Sequence, residues 1–325
     1  MAPSRREFVR FSGLAAAAFA APRIAWAEAY PTRPVHVVVG FSAGGGVDTI
    51  ARLMGQWLSE RFGQQFIVVN RPGAGSNIAA ESVVKAIPDG YTLLQLNIAN
   101  AINATLYEKL NFDVVRDIVP VAGIIRVPLV MVINPSFPTK TVPEFIAYAK
   151  ANPGKINMAS GGNGSPQHIA GEQFKMMAGV NLTHVPYRGN APALTDLIGG
   201  QVQIMFDTTP ASIEHIRAGQ IRPLAVTTAI RSEVLPDLPT MGDFVPGYEA
   251  SSWYGVGAPK NTPAAIIDAL NKEINAGLVD PGMKAKLDNF DGIALAGSPA
   301  DFGKFMAGEI EKLSKVIRAA HLKVE

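Results

Sequence analysis

The chain has 325 residues, with 29 Lys plus Arg against 27 Asp plus Glu, and no cysteine. A formal charge of +2 sets up no basic field for nucleic acid. Without thiols there is no disulfide, thiolate metal site or lipid-modified cysteine.

The N-terminus reads Ser4-Arg5-Arg6-Glu7-Phe8, then a small-residue apolar run from Phe11 to Ala21, then Ala25-Trp26-Ala27. A charged start, a short apolar centre and a small-residue exit define a secretory signal rather than a membrane span. The paired arginines before Phe8 resemble a twin-arginine (Tat) signal, with an ordinary Sec signal as the alternative. Either route predicts export to the periplasm, with cleavage after Ala27. Cleavage would remove four of the 29 basic and one of the 27 acidic residues, leaving a formal charge of −1. No later apolar run reaches the roughly 20 residues that cross a bilayer.

The first structural unit is a β-branched run, Val35 to Val39, that ends in the glycine cluster Gly44-Gly45-Gly46. Val47, Ile50, Ala51, Leu53, Met54, Trp57 and Leu58 follow at helical spacing. A strand, a glycine loop and a helix N-terminus together make a ready anion site, since uncovered N–H groups and the dipole both favour negative charge. A simple chain-reversing turn is the alternative. Neither nucleotide fingerprint fits. The G-x-G-x-x-G pattern begun at Gly44 meets Thr49 at its last position, and a P-loop would need Gly-Lys-Ser/Thr. Strands at residues 65–69 and 91–96, with a helix between them through Glu81 and Val84, complete a βαβαβ order. That order calls for parallel strands.

Several motifs now lie in sequence order: Tyr30-Pro-Thr-Arg-Pro34, Gly44-Gly45 with Asp48 and Ala51-Arg52, Asn70-Arg-Pro-Gly-Ala-Gly75 and Pro88-Asp-Gly-Tyr-Thr-Leu93. His184-Val-Pro-Tyr-Arg-Gly189, Phe206-Asp207, Leu235-Pro-Asp-Leu-Pro-Thr240 and Trp253-Tyr-Gly255 continue the series. Together they resemble the extracytoplasmic substrate-binding proteins of tripartite tricarboxylate transporters, the Bug family. The resemblance covers essentially the whole mature chain. It departs at Ser42-Ala43, where relatives often carry two prolines, and at residues 97–103, where many are richer in Gly, Ser and Thr.

The middle of the chain repeats the first theme. A buried strand at Leu129–Ile133 precedes a helix that Thr141, Pro143 and Glu144 open as cap, first-turn proline and capping box. A short strand ending at Ala159 leads into Ser160-Gly-Gly-Asn-Gly-Ser165, with Ser165 placed to cap a helix begun by Pro166. Two such loops, one per lobe, would face each other across a cleft. Further strands are expected at 183–187, 203–206, 224–227 and 254–258. Helices are expected through Leu194 and Leu197, at 212–218, 263–277, 281–289 and 299–320. The last helix carries Phe302, Phe305, Met306, Ile310, Leu313 and Ile317 as a core-facing stripe.

No catalytic or metal set emerges. None of the five histidines has metal-ligand spacing. Ser165 lies near His168, but Gly162-Asn-Gly-Ser165-Pro166 is not a nucleophile elbow, so Ser165 reads as a cap. Asp48 suits the dipole of its own helix. The resemblance implies an α/β protein of two lobes, the type II or Venus-flytrap architecture. Lobe one would be residues 28–127 plus 250–325 and lobe two 128–249, with hinges near Arg126–Val130 and Ala250–Tyr254. It also implies a non-enzymatic, monomeric receptor without cofactor or metal. Its ligand would be a small organic acid (mono- or dicarboxylate, aromatic or amino acid), and its partner a transporter with one large and one small multi-span subunit. The ligand-binding set expected is Phe41, Ala43, Gly44, Gly45, Gly46, Val47, Asn97, Asn100, Gly162, Asn163, Gly164, Ser165, Asp207 and Thr208. Of these, Asp207 comes from the resemblance, with a turn-capping role as its alternative. Gly45 and Gly162 are expected to require the absence of a Cβ. An exported serine hydrolase using Ser165 and a receptor that only senses ligand are the alternative functions.

Overall fold

β-Branched residues open the fold. The computed structural model describes residues 30–187 and 189–323. The export signal and its cleavage site lie outside the described residues, as does Arg188. From Arg33 onward the chain forms one compact unit. β1 (Val35–Val39) is buried except at His36. α1 (Gly46–Phe62) buries Ile50, Ala51, Met54 and Leu58 and stops at Gly63, whose φ of 67° is a left-handed cap that glycine adopts without a Cβ clash. β2 (Phe66–Asn70), α2 (Asn77–Val84) and β3 (Thr92–Asn97) follow. β1 pairs in parallel with both β2 and β3. Parallel neighbours need crossovers, which α1 and α2 supply.

The segment after β3 is α3 (Ile98–Leu106), closed by a capping box. Asn97 Oδ1 accepts from the Ala99 amide at 2.9 Å and Asn100 Oδ1 accepts from the Asn97 amide at 3.0 Å. After the short α4 (Val114–Asp117), β4 (Ile118–Ile133) runs for 16 residues. Only its end, Leu129–Ile133, was expected from sequence.

The rest of the chain is laid out around β4. α5 (Val142–Ala151), β5 (Asn157–Ser160), α6 (Pro166–Ala178), β6 (Thr183–Pro186), α7 (Asn190–Ile198), β7 (Ile204–Thr208), α8 (Thr209–Arg217) and β8 (Arg222–Val226) come next. β9 (Ser251–Pro259), α9 (Ala264–Val279), α10 (Pro281–Asp288), β10 (Ile293–Ala294) and α11 (Pro299–Ala319) finish it. The strand order is β2-β1-β3-β9-β4-β7-β5-β6, with β8 and β10 also on β4. β4 changes partner along its length. From Ile118 to Pro128 it lies antiparallel to β9. From Leu129 to Ile133 it lies antiparallel to β7, with β8 on its other side over Val130–Ile133. One strand thus belongs to two sheets, and the exchange falls at Pro128, which has no N–H to donate.

Each sheet has its own core. Against the first, Trp253, Phe302, Met306, Leu313 and Ile317 pack with Leu94, Leu96 and Ile102. The α11 stripe read from sequence is therefore core. The second sheet is covered on both faces. Phe145, Phe174, Phe206 and Tyr248 fill one side, and Ala193, Leu194, Leu197 and Met205 fill the other. Among the described residues no helix is long and apolar enough to cross a membrane.

Candidate functional site

A cleft of about 1130 Å³ opens where loops of both sheets meet. Its walls are the β1–α1 loop, the start of α3, the loop before α6, the starts of α7 and α8, and Ser252 and Tyr254 of β9.

The β1–α1 loop is fixed from behind by Asp48. This buried carboxylate accepts the Gly44 amide at 2.9 Å, Arg52 at 2.9 and 3.0 Å and Asn70 Nδ2 at 2.8 Å. Burial pushes its pKa up, but the bonds from Arg52, Gly44 and Asn70 outweigh that and hold it below the ordinary aspartate value. Gly44 has φ +88°, a conformation that favours glycine. Gly45 does not share that need. It is the N-cap of α1 at φ −82°, and a Cβ there would meet only Ser42 O, at 3.9 Å. No side chain caps α1. The amides of Ala43, Gly45, Gly46 and Val47 have no partner among the described residues, and all four residues face the cleft. The phenol of Tyr254 lies beside Gly46, 3.1 Å from where a Cβ would stand.

The loop before α6 is different. The Gly162 amide donates to Ser160 Oγ at 3.1 Å, the Gly164 amide to His168 Nδ1 at 3.1 Å, and the Ser165 amide to Gly162 O at 3.1 Å. Three of the four amides expected to hold ligand here are already engaged within the protein; only that of Asn163 is uncommitted. Gly162 does need glycine, at φ +132° with Tyr187 O 3.1 Å from a would-be Cβ, but it lies off the cleft wall. Ser165 caps α6 by accepting the His168 amide at 3.3 Å. The His168 ring turns away from that hydroxyl to Gly164 and Glu172, so serine and histidine form no nucleophile–base pair.

α7 supplies what the α6 loop does not. Its N-cap is Gly189 at φ +114°, with no side-chain cap, and the Asn190 and Ala191 amides, on the cleft wall, have no partner among the described residues. The sequence signal was present: strand, Gly189 and helix repeat the β1–α1 pattern a third time.

Asp207 is fully buried and does not touch the cleft. It accepts Asn190 Nδ2 at 2.7 Å, the Thr208 amide at 2.8 Å and Ser212 Oγ at 2.9 Å. Asn190 Oδ1 in turn accepts Gln167 Nε2 at 2.9 Å. Asp207 thus ties together the starts of α6, α7 and α8. Burial pushes its pKa up to about 6. Asn100 is likewise off the wall, its carbonyl used in the α3 capping box. The remaining expected residues, Phe41, Ala43, Gly44, Gly45, Gly46, Val47, Asn97, Asn163, Gly164, Ser165 and Thr208, all line the cleft. Among the described residues there is no group of three His, Cys, Asp or Glu side chains that could hold a metal ion.

A cleft at the meeting of two sheets, joined through one shared strand, is the architecture of the two-lobed solute-binding proteins. Residues 50–322 match the tripartite tricarboxylate transporter family receptor profile, and this chain belongs to that family. It is 35% identical over 315 residues to BugT of Bordetella pertussis, covering 96% of each chain. A Rhodopseudomonas palustris protein solved with adipate superposes with a TM-score of 0.84 at 40% identity, covering 90% of this chain and 99% of that one. MatC of Rhodopseudomonas palustris, solved with malate bound, gives a TM-score of 0.80 at 30% identity, covering 89% and 100%. The family is one of receptors, not enzymes.

Proposed function

We propose that this protein is an exported periplasmic receptor that captures a small carboxylate-bearing metabolite and delivers it to a tripartite tricarboxylate-type membrane transporter. The observation that supports this best is the pair of uncapped helix starts, α1 and α7, which turn onto one cleft amides that have no partner among the described residues. Helix N-termini favour anions through both their free N–H groups and their dipole. The adipate and malate bound by solved relatives have the same chemistry. The carboxylate is held by the amides of Gly45–Val47 and of Asn190 and Ala191, with the Ser165 hydroxyl as a side-chain donor. Phe41, Asn97, Asn163 and Thr208 shape the space around the rest of the ligand. The lobes are residues 28–127 with 250–325, and 128–249. Closure on the ligand favours the closed state by its extra contacts there. The working form is the monomer, and the partner is a pair of multi-span subunits, one large and one small.

Calorimetric titration with a panel of mono- and dicarboxylates, including adipate and malate, tests the ligand class. At least one acid should bind without being turned over, and its amide analogue should lose most of the affinity. Ser165→Ala should weaken binding about tenfold, since a hydrogen bond to a charged group is worth roughly 1.5–3 kcal/mol. Equal binding of acid and amide would show that the helix ends do not hold a carboxylate.

A further inference from the structure

Behind the loop that precedes α6, two histidine rings lie face to face. His168, in the first turn of α6, and His184, on β6, have ring centroids 3.8 Å apart and planes 9° from parallel. Each ring is tied to the loop. His168 Nδ1 accepts the Gly164 amide at 3.1 Å. His184 Nε2 lies 2.6 Å from Ser160 Oγ, which also receives the Gly162 amide at 3.1 Å. The loop therefore rests on two imidazoles, while Gly161, Asn163, Gly164 and Ser165 face the cleft.

The bond to Gly164 fixes the state of His168. A backbone N–H can only donate, so Nδ1 must be without a proton. His168 is then neutral with its hydrogen on Nε2, which points to Glu172 Oε1 at 3.7 Å. A second proton can be added only at Nδ1, against the Gly164 N–H. The two donors would then face each other and the tie would break. Among the described residues, the charges that act on His184 besides His168 are Glu172 and Lys175, both on α6 and bonded to each other at 2.8 Å. β6, β5 and the loop present neutral groups to it, the Ser160 hydroxyl and the Gly164 amide. Burial, with the neighbouring His168 second, pushes the His184 pKa down to about 4. Two stacked rings 3.8 Å apart do not both carry charge, so the pair holds at most one added proton; on His168 that proton can sit only at Nδ1, where it breaks the tie to Gly164.

We propose that the stacked pair His168–His184 is a proton-operated latch on the α6 loop: neutral, it holds the loop in its ligand-facing shape, and protonated, it releases the loop and lowers the affinity of the cleft. The effect on affinity rests on the carboxylate reading above; the release of the loop does not.

The test has two arms on the purified protein. In the ligand-free protein, nitrogen-15 NMR of the histidine rings should find His168 as the Nε2–H tautomer at pH 8. On acidification toward pH 5 the Gly164 amide should shift and lose exchange protection together with the titration of that ring. His168→Asn puts a carbonyl oxygen near the place of Nδ1 and cannot titrate, and should keep Gly164 protected across the range. His184→Gln removes the neighbouring ring and should move the transition to a different pH. In the second arm, adipate affinity should fall between pH 8 and pH 5 roughly three- to tenfold more in the wild type than in His168→Asn, about the worth of one hydrogen bond. A His168 ring protonated on Nδ1 at pH 8, or a Gly164 amide indifferent to its titration, overturns the latch. Should His168→Asn fail to fold, the wild-type NMR titration and His184→Gln decide it. If no acid of the carboxylate panel binds at pH 8, the ligand class proposed above is wrong, and the ligand-free arm then decides the latch by itself.

Discussion

Gly44 and Gly45 are neighbours in one loop, yet they have opposite conformational needs. At φ +88° an alanine in place of Gly44 would be strained although nothing occupies the space its Cβ would enter. At φ −82° an alanine in place of Gly45 is free of that strain. Gly44→Ala should therefore cost about 1–2 kcal/mol of stability and Gly45→Ala about 0.5 kcal/mol or less, read from denaturant midpoints. Similar losses for both would mean that Asp48 does not hold the loop in the conformation described. Asp207 shows the same dependence on geometry rather than residue type. Its position at the end of β7 before Thr208-Thr209-Pro210 reads equally well as a ligand contact or as a turn cap. The structure turns it inward to Asn190 and Ser212 instead. Nothing local in the sequence distinguishes these choices, because Asn190 arrives from another helix 17 residues away. Asn100 was obscured in a similar way. A polar residue three positions after Asn97 is a capping partner only if a helix begins there, and the apolar content of residues 97–103 leaves that undecided.

At the scale of elements, the strand–glycine–helix units were legible because every signal in them is local: β-branched residues, a turn, then apolar spacing of 3.6. The part of β4 from Ile118 to Pro128 was not. Its prolines, Pro120 and Pro128, argue against a central strand, and its bulges between Pro120 and Ala122 and between Gly123 and Ile125 break the alternation that marks one. The exchange of β4 between sheets is secured by Thr227. The Thr227 hydroxyl accepts the Leu129 amide at 2.9 Å, and its own proton can go to Leu129 O at 2.8 Å or Ala250 O at 2.7 Å. Backbone bonds from Thr227 N to Leu129 O and from Ala250 N to Thr227 O flank it. One buried side chain thus clasps both connections between the sheets. Thr227→Val keeps the shape but strands the Leu129 amide, and should cost about 1–3 kcal/mol; Thr227→Ser should recover most of it. Equal stability of the valine variant and the wild type would show that the clasp carries no weight.

For the whole molecule, two buried groups set opposite responses to acid. His184 has its pKa pushed down to about 4 by burial and by His168, from an ordinary 6.5. As pH falls from 6.5 to 4 the unfolded chain takes up a proton at this position and the folded chain does not, so stability is lost. Asp207 has its pKa pushed up to about 6 by burial, from an ordinary 3.8. Over nearly the same interval the folded chain binds that proton first, so stability is gained, and it is lost again as pH rises through 6. The two contributions oppose each other, and stability should change little between pH 6.5 and pH 4. Below that window the loss should set in as Asp48, held below its ordinary value, is protonated and gives up Arg52, Gly44 and Asn70. Removing either partner should expose the other. His184→Gln should make the protein more stable on acidification from pH 6.5 to pH 4, relative to its own value at pH 7. Asp207→Asn should make it less stable over the same interval. Chemical denaturation at a series of pH values reads both slopes, which makes the comparison independent of any change in absolute stability that the substitutions bring. Slopes of the same sign in the two variants would mean that the acid response of this fold is governed by other groups.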